Sequence, residues 1–319
     1  MAVRRAVKMP SDGVPERLRA WLDPYADWNL FNPSIHSDNG VLHLAFRAFR
    51  GGERVKPFNA YYAYSSSLDG SLAPPDLVDL TEFAADHGIS PVADPKLFGF
   101  DGGVFVTFNT GFKAEGLNHI YIMQVAPTLE PPQLCVLDQR HRIEKNWAFY
   151  ERDGELRSLY SLSPLVRLRL EGGALGKGGE LEFSREQTDA EASVSFEGRR
   201  YGLLGKRNLS IGTQPVVSDE GLLLIAHEKI YLSKWRGYVG RLVRIDDVAD
   251  IPAVDVLPDR LIHSFGAAVP RFGEHNRIAL FVTYFAGLTW HDGRILTSYG
   301  INDNGFGFAQ VPEAVLQRS

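Results

Sequence analysis

A turn followed by an alternating strand recurs five times along this chain, and the interval of recurrence is what most narrows its possible folds. The segments are FNPSIHSDNGVLHLAFR from Phe31, ADPKLFGFDGGVFVTFNTG from Ala93, EKNWAFYERDGELRSLYSLSP from Glu144, TQPVVSDEGLLLIAHEK from Thr213 and GAAVPRFGEHNRIALFVTYFAG from Gly266. Aligned at Asn32, Asp94, Asn146, Gln214 and Ala268, they lie 62, 52, 68 and 54 residues apart. A period of that size in strand-rich sequence predicts a propeller, each repeat being one small sheet. The fold class is therefore all-β, a five-bladed β-propeller over residues 29–319 behind a lead-in of residues 1–28. Five strands start together around one axis, and the chemistry is expected there.

Local patterns agree with this reading. In GVLHLAFRA, Leu42, Leu44 and Phe46 face one way and His43, Ala45 and Arg47 the other, as a strand requires. Asp38-Asn39-Gly40, Asp101-Gly102-Gly103, Asp153-Gly154, Glu220-Gly221 and Gly273-Glu274 supply the turns. PERLRAWL from Pro15 and DLTEFAADHG from Asp79 read as short helices outside the blades, and WLDPYADW as a turn. The stretch EGGALGKGGELEFSREQTDAEA from Glu171 reads as an irregular hairpin between blades three and four.

Charge and cysteine use exclude several classes. A net charge of −5 offers no broad basic face for nucleic acid, though a small cationic pocket is compatible with it. The single cysteine, Cys135, forbids an internal disulfide and fits a reducing cytoplasm. No apolar run is long enough to predict a membrane helix, and the N-terminus lacks the apolar centre of a secretory signal. GGALGKGG lacks the Ser or Thr that follows the lysine of a phosphate loop, and Tyr231 stands where a zinc-protease helix after His227-Glu228 needs its second histidine. There is no GxSxG elbow and no paired-cysteine metal site. Asp246-Asp247 reads as a turn cap. No metal and no organic cofactor is expected.

Among the strand starts, Asp94 is the charged one. Pro95 fixes the backbone beyond it and disfavours helix at Asp94 itself, which aims the carboxyl. In a partly dry mouth such a carboxyl serves as a general acid, and the alternative is a turn cap. Asn32, Asn146 and Gln214 are amides, able to donate and accept toward sugar hydroxyls or to bond their own turns. Arg47 points into the channel or out to solvent. Lys145, Lys206, Arg207 and His227 form a candidate cationic cluster for phosphate, and Asp303 is a sugar ligand or a turn residue. A glycosidase that uses water wants two carboxylates across the scissile bond, whereas here Asp94 stands with only Glu228 and Asp303 as further candidates.

Together these motifs resemble glycoside hydrolase family 130, the five-bladed β-mannoside phosphorylases, and their mannosyltransferase relatives. The matching elements are FNPSI with LAFRA, ADPKLF, EKNWAFY, LLIAHEK and TSYGINDNGFGFAQV, in order over roughly residues 29–311. The resemblance implies Asp94 as general acid, delivering its proton through the sugar's 3-hydroxyl. It implies Asn32, Arg47 and Asp303 at the sugar, and Lys145, Asn146 and His227 at a phosphate site with Lys206 or Arg207 as a further cation. Gln214 and Glu228 are placed with the substrate contacts. The chain departs from the pattern where Ala93 replaces an acid, Lys96 an arginine, Gly212-Thr213-Gln214-Pro215 a Gly-Gly-Pro-Pro run, and Glu228 a glycine.

The expected function is inverting transfer of a mannose-like glycosyl unit by a cytoplasmic phosphorylase or glycosyltransferase. The substrate is a sugar or oligosaccharide, with phosphate or a nucleotide sugar as partner, and neither nucleic acid nor membrane. The alternatives are a glycosidase using water, with Glu228 or Asp303 as base, and a propeller that only binds glycan.

Overall fold

The computed structural model describes residues 6–10, 14–25, 27–49, 58–64, 77–111, 116–186, 193–194, 200–201, 205–232, 235–247, 252–264, 279–302 and 305–316. The lead-in contributes β1 (Ala6–Lys8), α1 (Glu16–Ala20) and a 3-10 turn at Asp23–Tyr25. A first antiparallel meander follows, β2 (Asn29–Asp38), β3 (Val41–Phe49), β4 (Asn59–Tyr64) and β5 (Val78–Asp79), and ends in α2 (Leu80–Asp86). Asp79 starts that helix by accepting from the amides of Thr81 and Glu82.

The second meander is β6 (Ala93–Phe100), β7 (Gly103–Asn109), β8 (Ile120–Ala126) and β9 (Gln133–Leu137). The third is β10 (Ala148–Arg152), β11 (Glu155–Leu162), β12 (Leu165–Gly172) and β13 (Glu180–Arg185), and β13 runs parallel to β9. The fourth group comprises β14 (Ser193–Val194), β15 (Arg200–Tyr201), β16 (Gly205–Ile211), β17 (Val216–Ser218), β18 (Gly221–Leu232), β19 (Trp235–Asp246), β20 (Ala253–Val256) and β21 (Arg260–Ile262). The chain closes with β22 (Ala279–His291), β23 (Arg294–Ile301), β24 (Gly305–Gln310) and α3 (Glu313–Leu316), while β1 adds in parallel to β21.

Apolar cores lie between successive meanders rather than inside any one of them. Ala45, Tyr62, Leu97 and Val106 join the first to the second, and Phe98, Trp147 and Leu168 the second to the third. Leu159 and Leu224 join the third to the fourth, and Ile225 and Phe285 the fourth to the last. Leu42, Leu44 and Phe46 meet Leu296 and Phe308, so the last meander packs against the first. The alternation in β3 therefore separates two buried faces, not core from solvent. This arrangement of sheets around a common axis is an all-β propeller.

Closure depends on the absence of side chains. A Cβ on Gly287 would overlap the backbone nitrogen of Ile35, and one on Gly300 would overlap Asn32 Oδ1. Ser298 Oγ donates to the Pro33 carbonyl at 2.6 Å across the same seam. Similar pins hold two other seams: Leu97 N donates to Ser34 Oγ at 3.0 Å, and Phe149 N to Gln214 Oε1.

Two local expectations change. The glycine-rich stretch from Glu171 forms a hairpin, but as far as Glu186 that hairpin is β12–β13 within the third meander rather than between the third and the fourth. Gln133 holds its turn, donating to the carbonyls of Ala174 and Gly178 and accepting from Gly176 N. The second change concerns the last repeat. Asn32 precedes Asn39, Asp94 precedes Asp101 and Asn146 precedes Asp153 by the same seven residues, and each second member turns a hairpin at positive φ. The last hairpin turns at Asp292-Gly293, which sets the equivalent position at Phe285. Ala268, and the turn expected at Gly273-Glu274, lie outside the described residues. An apolar residue at the fifth position hid the true register from a search keyed to small polar ones.

Candidate active site

The strand starts share an unusual backbone. Asn32, Asp94 and Asn146 have φ of 50°, 52° and 63°, a left-handed conformation that favours Gly and, among other residues, Asn and Asp. At Asn32 and Asp94 the ladder also slips, between Phe31 and Ser34 and between Ala93 and Lys96, as a bulge does. The bulge turns these side chains out of the strand's alternation, and the proline that follows each is tolerated because the ladder is already interrupted there. The sequence signature Asn-Pro or Asp-Pro is thus the signature of the kink.

Asp94 meets Arg47 at this kink. Arg47 Nη1 donates to Asp94 Oδ1 at 2.6 Å, both side chains being largely buried. Arg47 is itself sandwiched, its guanidinium 3.6 Å from the Phe58 ring centre and 4.6 Å from that of Phe31. Burial alone would raise the Asp94 carboxyl. Arg47, then Lys145 and Lys96, with a hydrogen bond from Asn109, outweigh it and hold the group below the ordinary carboxylate range. In the free protein Asp94 is ionised.

Lys96 extends beside it. Although only 2% exposed, it donates to Asn146 Oδ1 at 3.0 Å, an acceptor it shares with the Tyr284 hydroxyl at 3.2 Å. Burial is the main force on its ammonium; Lys229 and Lys145 add to it, Asp94 opposes, and the pKa comes down to about 7. Asp94, Lys96, Asn109, Asn146 and Trp147 line a small cavity with room for about one water.

His227 completes the cluster. It is fully buried, its ring 4.4 Å from that of Tyr284, and its Nε2 lies 2.9 Å from the Phe285 carbonyl. A carbonyl only accepts, so Nε2 carries the proton and Nδ1 is a bare acceptor, buried without a partner among the described residues. Burial, then Lys96 and Lys229, push His227 well below its usual pKa, so the ring is neutral.

The sequence-derived candidates divide clearly. Asp94, Arg47, Asn146 and His227 come together, with exposed Lys145 acting on Asp94 from the rim. Asn32 is buried beside the seam, its Oδ1 without a donor among the described residues. Gln214 is not turned to a ligand: it clamps the start of β10 through Phe149 N. Glu228, next to His227 on a strand and so on its opposite face, is fully buried against Arg241 at 2.8 Å and Arg260 at 3.3 Å. That ion pair removes it as a base. Asp247, the second of the paired aspartates, ties the third meander to the fourth through Arg152 at 2.8 Å. Lys206 and Arg207 lie on β16, opposite Arg200 and Ile230, and their side chains are outside the described residues, as is Asp303.

Lys96, Lys229, Tyr284 and Asn109 were missed as site residues. Alternation carries the signal for Lys229, which follows His227 by two positions on a strand. Lys96, beyond the bulge at Asp94, and Tyr284 and Asn109 had no such mark.

Against known proteins, no family model matches the chain and no curated protein matches it. Solved structures do. A structure from work titled as showing that the GH130 family of mannoside phosphorylases contains glycoside hydrolases for β-1,2 mannosidic linkages in Candida mannan aligns at TM-score 0.58 and 14% identity, covering 90% of this chain and 85% of that one. The fold is a GH130-type propeller. Among others that share it are the β-1,2-mannobiose phosphorylase of Listeria innocua, at TM-score 0.53 and 13% identity over 92% and 93% of the two chains. A GDP-Man-dependent mannosyltransferase of Leishmania mexicana aligns at TM-score 0.53 and 13% identity over 91% and 86%. At such identities the GH130-type propeller is common ground in architecture.

Proposed function

We propose that this chain is a five-bladed, carbohydrate-active enzyme that transfers a mannose-like glycosyl unit with inversion, using an anionic co-substrate and Asp94 as general acid. The observation that carries the reading is the gathering of basic side chains: Arg47, Lys145 and Lys96 act on Asp94, and Lys229 acts on Lys96. Of the two further carboxylates that could serve an inverting hydrolase, Glu228 is spent on Arg241 and Arg260, and Asp303 lies outside the described residues. A phosphoryl group supplies negative charge and nucleophile together. The phosphorylase named among the structural relatives supports this choice of co-substrate.

The ionised state of Asp94 fits the mechanism once the anion is considered. An anion seated among the lysines offsets part of the field that holds the carboxyl deprotonated, and exclusion of water by the sugar completes the upward shift, so Asp94 is protonated only when both are bound. Asp94 then takes the proton it gives to the glycosidic oxygen, while the anion attacks the anomeric carbon from the opposite face. Asn32 and Arg47 hold the sugar, and His227 Nδ1 accepts from a hydroxyl of sugar or protonated anion.

The test is phosphorolysis. The chain is incubated with β-mannosides of varied linkage, with and without inorganic phosphate, and sugar 1-phosphate is measured. Phosphate-dependent product that disappears in Asp94→Asn supports the reading. Release of free mannose independent of phosphate replaces it with a hydrolase, and transfer only from GDP-mannose with a transferase.

A further inference from the structure

A buried lysine ordinarily faces a carboxylate. Lys96 does not: its ammonium has one neutral amide oxygen, that of Asn146, and the Tyr284 ring 5.8 Å away, with no carboxylate oxygen within ion-pair distance among the described residues. The nearby carboxylate, Asp94, is taken by Arg47. The charged groups that act on Lys96 are Asp94 on its own strand, Lys229 on β18, and Lys145 before β10. Of the other polar groups around it, His227 on β18 is neutral and Tyr284 on β22 gives its hydroxyl to Asn146. Such a site costs least with the amine neutral. An arginine there would stay charged whatever surrounded it.

We propose that Lys96 is an anion ligand that gains its charge only as the site fills: a phosphoryl dianion held beside Lys145 and Lys229, with one oxygen taking the water's place in the small cavity that Lys96 lines, draws one proton from solvent onto Lys96 Nζ. No covalent bond changes in this step. One proton leaves bulk buffer, one N–H bond forms, and the ammonium so made donates to a phosphoryl oxygen. The proposal rests on the reading of the cluster as a phosphate site and specifies how that site pairs charge with its ligand. The depressed pKa of Lys96, about 7, agrees with a neutral amine in the free protein at mildly alkaline pH. Lys145, in contrast to Lys96, is exposed.

Calorimetric titration of the full chain with inorganic phosphate at pH 8, in buffers of different ionisation enthalpy, counts protons taken up per anion bound. Wild type is expected to take up close to one, and its affinity to fall roughly tenfold per pH unit above pH 8, as linkage requires. In Lys96→Arg the charge is permanent, so phosphate binds with uptake near zero and a flat pH dependence. Zero uptake in wild type overturns the proposal, as does equal uptake in both proteins, which would send the proton to Asp94, His227 or phosphate itself. If no phosphate heat appears in wild type, the phosphate reading falls first and this inference with it. Should Lys96→Arg not fold, nitrogen-15 lysine resonances of wild type decide: one amine must titrate near pH 7 in the free chain and remain an ammonium at pH 8 with phosphate. A lysine ensemble unchanged by phosphate ends the proposal.

Discussion

At the scale of single residues, the cluster trades stability for charge in opposite senses at Asp94 and Lys96. The folded pKa of Asp94 lies below its unfolded value, so its ion pair with Arg47 adds stability above pH 4 or so, and that is lost as pH falls through the depressed folded value. Arg47→Gln should therefore cost about 3 kcal/mol at neutral pH, with the gap to wild type closing toward pH 2. Urea unfolding across that range measures it, and a gap independent of pH would deny the pair its role. Lys96 runs the other way. Its folded pKa is below the unfolded one, so the unfolded chain binds more protons between about 7 and 10.5, and stability rises with pH across that window. Replacing it by an apolar side chain of similar length removes a charge that the fold does not pair. Lys96→Met should be more stable than wild type by roughly 1–4 kcal/mol at pH 6, with the excess shrinking toward pH 10, and should lose phosphate binding. A variant less stable at pH 6 would mean that Lys96 is held as a structural cation. Asp94→Asn should lower turnover by a factor of about 10² to 10⁴ and also lower the melting temperature, because Arg47 loses its partner; phosphorolysis rates are therefore read well below the unfolding transition measured alongside.

At the scale of elements, the strand starts do two jobs: they aim ligands and they seal seams. The sequence showed the first job clearly. Asn-Pro and Asp-Pro marked two kinks, the Asn-Gly and Asp-Gly pairs marked the hairpins, and the interval between them marked a propeller, because each is a local backbone demand that only a few residues meet. Seams were far less legible. Gln214 and Glu228 looked like ligands because a polar side chain at a strand start reads the same whether it faces a sugar or a neighbouring sheet's backbone. Which of these it does depends on strands far away in sequence: Gln214 bonds Phe149 N of the neighbouring meander, and Glu228 bonds Arg260 on another strand of its own sheet. Phe285 erred in the opposite direction, offering a backbone carbonyl to His227 where a polar side chain was sought. The closing seam gives the sharpest test. Gly300→Ala places a Cβ against Asn32 Oδ1, which sits in a fixed left-handed kink and has no room to retreat. The expected loss is about 1–3 kcal/mol from overpacking, with weakened sugar binding because Asn32 is pushed aside. Gly305→Ala, on the neighbouring strand at ordinary φ and with only Ile301 Cβ at 4.0 Å, controls for a methyl added to the same sheet. Equal losses in the two would locate the cost of Gly300→Ala in the strand rather than the seam.

At the scale of the whole molecule, the distribution of charge matters more than its sum. The chain carries a net −5, which by itself repels a phosphoryl dianion, yet Arg47, Lys96, Lys145 and Lys229 converge where the strand starts meet. The fold makes this possible: side chains distant in sequence reach one axis from separate sheets, while Glu228, Glu144 and Asp247 are neutralised in place by Arg241, Arg140 and Arg152. A concave site with low-dielectric walls focuses such a field, whereas charges over the outer surface are screened beyond about 8 Å at physiological ionic strength. Phosphate affinity should accordingly fall several-fold between low and high salt, because the approach of a dianion to a cationic cluster is an electrostatic gain that salt diminishes. The affinity for an uncharged disaccharide in the same channel should not change, since its hydrogen bonds and ring contacts carry no net charge. Titrating both ligands over a range of sodium chloride separates the two. If phosphate affinity proved as indifferent to salt as that of the sugar, the lysines would be serving the fold, and the anion would have to bind elsewhere.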